Sequence, residues 1–258
     1  MKRAAVLIAL FGCLFTAPAA RAETVDLLLV LAADVSRSID DGEFELQRKG
    51  YASAMTDPRV LKAIVGGKHH AIAVTFVEWA GDQEEKTVVD WTVIRDEEGA
   101  GGVASAILSA PRSFLGRTSI SAAIDYSVDT LASAPADSEK RVIDISGDGT
   151  SNSGRIVTEA RDQAVAKGIT INGLAIINTA ANPGFAYHTH PPGGLPNYYK
   201  ENVIGGHGAF LLVVQDFGTF ADAIAQKLVA EIAGLPAPRR YLGLSVPSEG
   251  WPLYKRRG

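Results

Sequence analysis

Cysteine is nearly absent from this chain, since Cys13 is the only thiol among 258 residues. It lies in an apolar N-terminal segment that we interpret as a removable leader, so the chain beyond the leader contains no thiol. The sequence therefore excludes a disulfide, a cysteine nucleophile and a thiolate metal site in the processed protein. A cysteine-free protein of this kind suits an oxidising compartment outside the cytoplasm.

A long apolar run is also missing. The most apolar stretch, residues 4–15, is shorter than the roughly 20 residues that a transmembrane helix needs. It follows Lys2 and Arg3 and precedes small residues at Ala20 and Ala22, which is the pattern of a secretory signal peptide over residues 1–22. We therefore expect an exported protein, periplasmic or secreted, without a membrane span. Lipidation at Cys13 is a disfavoured alternative, because the apolar segment continues past it.

Positive charge is scarce. The chain has 25 basic and 29 acidic residues, and loss of the leader would leave 22 basic residues and a net charge of −7. No basic stripe is present, which argues against a nucleic-acid partner. The composition, 47% hydrophobic and 21% charged, is that of an ordinary globular domain.

Apolar runs alternate with amphipathic stretches along residues 24–233. This alternation predicts an α/β fold with a doubly wound, mostly parallel sheet and helices on both faces. Strands are expected at 25–33, 70–79, 87–94 (an edge strand), 141–146, 169–177 and 209–215, and helices at 43–55, 102–109, 120–132, 156–167 (ended by Gly168) and 217–232. Residues 179–208 read as a long loop, and residues 234–258 as a poorly ordered tail.

Oxygen-bearing side chains occur where three of these elements begin or end. Asp34, Ser36 and Ser38 follow the first strand, Thr118 precedes the helix at 120–132, and Asp148 follows the strand at 141–146. Ligands of parallel sheets bind at the carboxyl ends of the strands, so these oxygens are expected to converge. Five oxygen donors, two of them anionic, predict a site for Mg²⁺, with Mn²⁺ or Ca²⁺ as alternatives.

These three motifs, in this order, resemble the von Willebrand factor A domain and its metal-ion-dependent adhesion site. The resemblance implies a doubly wound sheet with one antiparallel edge strand, and a cation that coordinates an acidic residue of a partner protein. It implies direct metal binding by Ser36, Ser38 and, in the ligand-competent state, Thr118. Asp34 would act through water, and Asp148 through water or directly.

The third loop departs from the family pattern, because Gly147 stands where many A domains have threonine, and a hydroxyl is lost. The stretch 145–152, and Tyr198 and Tyr199 followed by 205–210, look like an uncharacterised subgroup of exported bacterial A domains. Three residues of these loops also admit simpler roles. Thr118 could cap the following helix, and Gly147 and Gly149 read first as turn residues.

These residues favour a non-catalytic binding module, and two other functions are alternatives to it. A phosphatase-like hydrolase using Asp34 would need an acid two residues later, where this chain has Ser36, and no base is expected beside the donors. A structural domain with a purely stabilising metal is the other alternative. A zinc site at His188, His190 and His207 is disfavoured, and these histidines are expected to pack in the loop or face solvent.

Overall fold

The computed structural model describes residues 22–177, 183–215 and 219–235. Nearly all of the predicted signal peptide, and the tail beyond Leu235, lie outside the described residues. The strands are β1 (Glu23–Thr24), β2 (Leu28–Asp34), β3 (Ile72–Trp79), β4 (Glu85–Ile94), β5 (Ala136–Asp137), β6 (Arg141–Gly147), β7 (Thr170–Ile176) and β8 (Leu211–Val214). The helices are α1 (Asp41–Met55), α2 (Pro58–Val65), α3 (Glu97–Ser109), α4 (Ile120–Ala132), α5 (Val157–Ala166), α6 (Ala186–Thr189), α7 (Leu195–Tyr198) and α8 (Phe220–Ala233).

The main sheet has six strands in the order β4-β3-β2-β6-β7-β8. β2 is central and pairs in parallel with both neighbours, so Leu28 lies opposite Ala73 on β3 and Arg141 on β6. β4 pairs antiparallel with β3 at the edge of the sheet, which confirms the predicted edge strand. The fold is therefore the predicted doubly wound α/β sheet.

Two hydrophobic cores cover the two faces of this sheet. Leu29 and Leu31 of β2 point into the core formed with α1, α2, α3 and α8. Val30 and Ala32 point into the opposite core, with α4 and α5. Because successive side chains of a strand alternate between faces, a strand covered on both sides must be apolar throughout, as β2 is.

The position of β2 determines where a ligand site can form. From β2 the chain continues to β3 on one side, whereas β6 pairs with β2 on the other side. The connections after β2 and β6 therefore leave the sheet in opposite directions and open a gap between their carboxyl ends. The loops that carry Asp34 and Asp148 flank this gap.

Local signals explain both a confirmed helix end and a helix that we did not predict. Gly168 has φ +73° just after α5, which confirms its role in ending that helix. The unpredicted helix is α2, which Asp57 caps and Pro58 begins, a pairing that could have identified it.

The expected loop at 179–208 is largely helical where the structure describes it. It contains a 3₁₀ turn at Pro183–Phe185, then α6, α7 and a π-helical turn at Tyr199–Val203. Within the described ranges, no helix is both long and apolar enough to cross a bilayer.

A buried charged cluster fastens α8 to the sheet. Lys227 Nζ lies 2.7 Å from Asp144 Oδ1 and donates to Glu231 Oε1 at 2.5 Å, and all three side chains are buried. Asn172 Nδ2 also donates to Glu231 Oε1, at 2.7 Å. Burial raises the pKa of Asp144 to about 7, a rise that Lys227 opposes and Glu231 reinforces. With two carboxyls and one ammonium, this cluster favours one neutral carboxyl.

We expect this cluster to make the protein less stable as the pH rises. The folded chain holds the Asp144 proton more tightly than an unfolded chain, in which the pKa of aspartate is about 3.9. The stabilising contribution is therefore fully present below about pH 4 and lost as the pH rises toward about 7. Asp144→Asn should flatten this part of the decline, measured as the free energy of unfolding by urea titration at several pH values. The exposed Asp129→Asn is the control, and an unchanged pH slope in Asp144→Asn would contradict the assignment.

Candidate metal centre

The first loop of the site turns sharply at the end of β2. The amide of Ser36 donates to Asp34 Oδ1 at 2.7 Å, so one carboxylate oxygen is used to close the turn. Gln47 of α1 donates from Nε2 to the backbone oxygen of Asp34 at 3.1 Å. Ser36 and Ser38 then face the same side as Asp34, with their hydroxyl oxygens 3.2 Å apart.

Arg112, which follows α3, holds the backbone of this loop. Its Nη2 donates to the carbonyl oxygens of Val35, Ser36 and Ile39 at 2.8, 2.9 and 2.8 Å. Its guanidinium also packs over the Phe44 ring, with 5.2 Å to the ring centroid. Arg112 was not predicted, because a lone arginine after a helix carries no motif.

The second loop places Thr118 against the third loop. The amide of Thr118 donates to Asn152 Oδ1 at 3.0 Å, and the amide of Asn152 donates back to the Thr118 carbonyl at 2.8 Å. The cap of α4 is Ser119, whose Oγ accepts from the amide of Ala122 at 3.3 Å. The alternative that Thr118 caps this helix is therefore wrong, and its hydroxyl is left for the site.

The third loop begins at Gly147, the last residue of β6. Gly147 and Gly149 have no left-handed backbone, so neither position needs glycine for its backbone conformation. A Cβ on Gly147 would lie 2.6 Å from the hydroxyl of Tyr199, and a Cβ on Gly149 would lie 2.1 Å from Nε2 of His188. These glycines let two side chains of the segment 183–203 approach the site.

The structure brings all five predicted residues together. Ser38 Oγ donates to Asp148 Oδ1 at 2.7 Å, and Thr118 Oγ1 donates to Ser36 Oγ at 3.2 Å. Together with the contact between the two serines, these distances form a continuous row from Asp148 to Thr118, with Asp34 joined through Ser36. All five side chains are buried. That they bind a metal stays a prediction.

The electrostatics of this row suit a cation. Asp34 Oδ2 and Asp148 Oδ2 are buried without a hydrogen-bond partner among the described residues, as is the nearby Tyr199 hydroxyl. Burial and the charge of Asp148 raise the pKa of Asp34 to about 8, and burial raises the pKa of Asp148 to about 6. A divalent ion would remove the repulsion between the carboxylates and take up their free lone pairs. Among the described residues no three His, Cys, Asp or Glu side chains form a metal cluster, so an ion here depends on the hydroxyls.

His188 of α6 covers the site, which corrects two expectations. It was expected to pack in the loop or face solvent, and no base was expected beside the donors. Instead its Nε2 lies 3.0 Å from Thr118 Oγ1, and its Nδ1 lies 3.1 Å from Thr150 Oγ1. Burial, with the positive charge of Arg37, lowers the pKa of His188 to about 4. The disfavoured zinc cluster of three histidines does not form, since His207 lies apart and its exposed side chain makes no contact here.

Arg112 should stabilise the fold more than an arginine that is ion-paired at the surface. Arg112→Leu removes the guanidinium donor from three loop carbonyls, of which, among the described residues, only that of Ser36 keeps another donor, the amide of Ile39. We expect a loss of about 3 kcal/mol in the free energy of unfolding. Arg155→Leu breaks the more exposed pair with Asp125 and should cost about 1 kcal/mol or less. Urea denaturation of both variants checks the difference, and equal losses would contradict the role given to Arg112.

Several solved structures share this fold. A mussel byssus protein, proximal thread matrix protein 1, aligns with a TM-score of 0.59 and 16% identity over 83% of this chain and 50% of that one. Another structure of it, with a zinc-occupied MIDAS motif, gives a TM-score of 0.54 and 17% identity over 83% of this chain and 50% of that one. A von Willebrand factor type A structure from Catenulispora acidiphila aligns with a TM-score of 0.55 and 14% identity over 81% of this chain and 43% of that one.

The pilus adhesin SpaC from Lactobacillus rhamnosus GG gives a TM-score of 0.61 and 10% identity over 83% of this chain and 32% of that one. This chain thus spans about half or less of the length of these proteins. At such low identity the likeness establishes the fold alone. No curated protein matches the chain.

A family described as "Protein of unknown function (DUF1194)" matches residues 24–236, which is most of the chain. The six-stranded sheet with its antiparallel edge is the sheet of the von Willebrand factor A fold. The chain belongs to the DUF1194 family and has a von Willebrand factor A-like fold.

Proposed function

We propose that this protein is an exported, non-catalytic binding module in which a divalent cation coordinates an acidic group of a partner protein. The cation would be held by Asp34, Ser36, Ser38, Thr118 and Asp148, with Mg²⁺ expected and Mn²⁺ or Ca²⁺ as alternatives. The leader predicted over residues 1–22 supports export.

The observation that carries this proposal is the pair of unpartnered oxygens, Asp34 Oδ2 and Asp148 Oδ2, beside a row of three hydroxyls. Buried polar atoms normally have partners, and an unpaired buried carboxylate is costly. The two carboxylates would balance the +2 charge of a bound divalent ion, and the three hydroxyls add no charge. Such an ion remains a Lewis acid that can accept one further carboxylate.

Different residues would hold the two halves of the site in position. Asp34 accepts a hydrogen bond from the amide of Ser36 and so fixes the turn, which would let the two serine hydroxyls face a bound ion. Arg112 holds the carbonyls on the outer side of the same turn. Thr118 stands on a different loop, and its contact with Ser36 joins the two halves of the site.

Metal binding should depend on Asp148. At ten times the dissociation constant, a bound divalent ion should add about 1.4 kcal/mol to the free energy of unfolding of the natural protein. Asp148→Ala should lose this increment, since the variant lacks one of the two anionic donors. Thermal unfolding with and without Mg²⁺, Mn²⁺ or Ca²⁺ measures it.

Asp129→Ala serves as the matched control, because it removes an exposed aspartate far from the row of donors and should keep the increment. An equal metal response in Asp148→Ala and in the natural protein would remove Asp148 from the site. Turnover of a generic phosphate ester that Asp34→Asn abolishes would contradict the non-catalytic assignment and support the hydrolase instead.

Partner binding should need the cation. The natural protein, immobilised and exposed to periplasmic extract, should retain a partner that a chelator releases and an added divalent ion restores. Asp148→Ala should retain none, whereas Asp129→Ala should behave as the natural protein does. If the chelator does not change how much partner is retained, the metal has a structural role only.

A further inference from the structure

The row of donors does not end at Thr118. The successive distances along Asp148 Oδ1, Ser38 Oγ, Ser36 Oγ, Thr118 Oγ1 and His188 Nε2 are 2.7, 3.2, 3.2 and 3.0 Å. In an octahedral site with bonds of about 2.1 Å, neighbouring donors lie about 3.0 Å apart. The imidazole nitrogen is therefore spaced from Thr118 as one metal ligand is from the next.

We propose that His188 Nε2 is a direct ligand of the cation, so that this chain has a mixed nitrogen and oxygen site closed by its own α6. This inference rests on the proposed function, because it concerns the same ion. It assigns the site to an ion that readily accepts nitrogen ligands, such as Zn²⁺, in preference to Mg²⁺ or Ca²⁺. Imidazole suits Zn²⁺, whereas Mg²⁺ and Ca²⁺ take oxygen ligands.

The imidazole is held in place by contacts that do not involve Nε2. Nδ1 lies 3.1 Å from Thr150 Oγ1, and the amide of Thr150 donates to the His188 carbonyl at 3.1 Å. Because the Thr118 hydroxyl donates to Ser36, Nε2 donates to Thr118 Oγ1 in the protein without metal. Metal binding at Nε2 requires the ring proton on Nδ1 instead, where Thr150 Oγ1 can accept it. A second polar contact of this kind normally orients a histidine ligand.

The segment that carries His188 contacts the first loop and is held by a hydrogen bond of its own. Phe185, just before α6, lies under the Arg37 guanidinium of the first loop, 5.7 Å from the ring centroid. Thr189 is buried and donates to the Phe185 carbonyl at 3.2 Å. Gly149 completes the fit, since a Cβ there would meet Nε2 at 2.1 Å. The absence of a Cβ at Gly149 therefore leaves the space that the His188 ring needs to reach Thr118.

This arrangement affects the partner as well. With Asp34 acting through water, as the family resemblance implies, Asp148, the three hydroxyls and His188 would occupy five positions of a six-coordinate ion and leave one open. A carboxylate from a partner would then take that position or displace the imidazole. Binding of the metal and of the partner are therefore coupled through α6.

The first experiment uses the natural protein loaded with Mn²⁺ and measures electron spin echo envelope modulation. Direct coordination predicts ¹⁴N modulation from one imidazole nitrogen, which His188→Ala should abolish and the exposed His207→Ala should retain. Because this spectrum is recorded on the natural protein, the result does not depend on how well a variant folds. Bound Mn²⁺ without ¹⁴N modulation would overturn the inference while leaving the oxygen site of the proposed function intact.

Calorimetric titration with Zn²⁺ and with Mg²⁺ provides the second readout. We expect His188→Ala and His188→Gln to weaken Zn²⁺ binding by 10-fold or more, on the order of the loss seen when ligand support is removed, and to change Mg²⁺ binding far less. His207→Ala should bind both ions as the natural protein does. Equal losses for the two ions would overturn the assignment, and failure of the natural protein to bind any divalent ion would overturn the proposed function together with it.

Discussion

Two carboxylates, Asp34 and Asp148, are buried side by side where β2 and β6 end, and the arrangement of the site follows from their shared charge. One oxygen of each is buried without a hydrogen-bond partner among the described residues, and burial raises the pKa of each. A protein can hold two such groups together only by protonating one or by neutralising both with a cation. Three neutral hydroxyls adjoin the two carboxylates, so a divalent cation bound there would need no further charged side chain to balance it.

The doubly wound sheet places these two groups together, and separate contacts then hold each loop rigid. On the first loop Arg112 and Gln47 occupy the backbone carbonyls, so the side chains of Ser36 and Ser38 stay available. On the second and third loops Thr118 and Asn152 exchange backbone and side-chain hydrogen bonds. The donors thus keep their spacing because the backbone around them is already satisfied.

The segment 183–203 distinguishes this chain from an A domain whose metal face is open. Tyr199 and His188 approach through the two glycines that flank Asp148. The hydroxyl that a threonine would supply at position 147 is absent, and the Tyr199 hydroxyl lies close to the place where that residue's Cβ would be. Glycine at position 147 therefore does more than remove a threonine hydroxyl, because the space that it leaves is filled by the Tyr199 hydroxyl from another part of the chain.

The sequence by itself determined the fold class and predicted the five oxygen-bearing residues that the structure brings together. Apolar strands covered on both faces, helices between them and polar residues at strand ends are local patterns, and parallel strands necessarily bring their carboxyl ends to one edge. The edge strand β4 followed from its alternation. The helix α2 was readable from Asp57 and Pro58, although we did not use that signal.

Only the tertiary structure decided the role of His188, which lies 70 residues from Thr118. It belongs to a segment rich in proline and glycine, where periodicity indicates neither a helix nor a direction. The same holds for Arg112, whose three acceptors are backbone carbonyls of another loop, and for the reason behind Gly147 and Gly149. These contacts depend on the path of the chain across the face of the sheet. No local preference of a residue specifies that path, since it is set by how the packed layers close over the gap between β2 and β6.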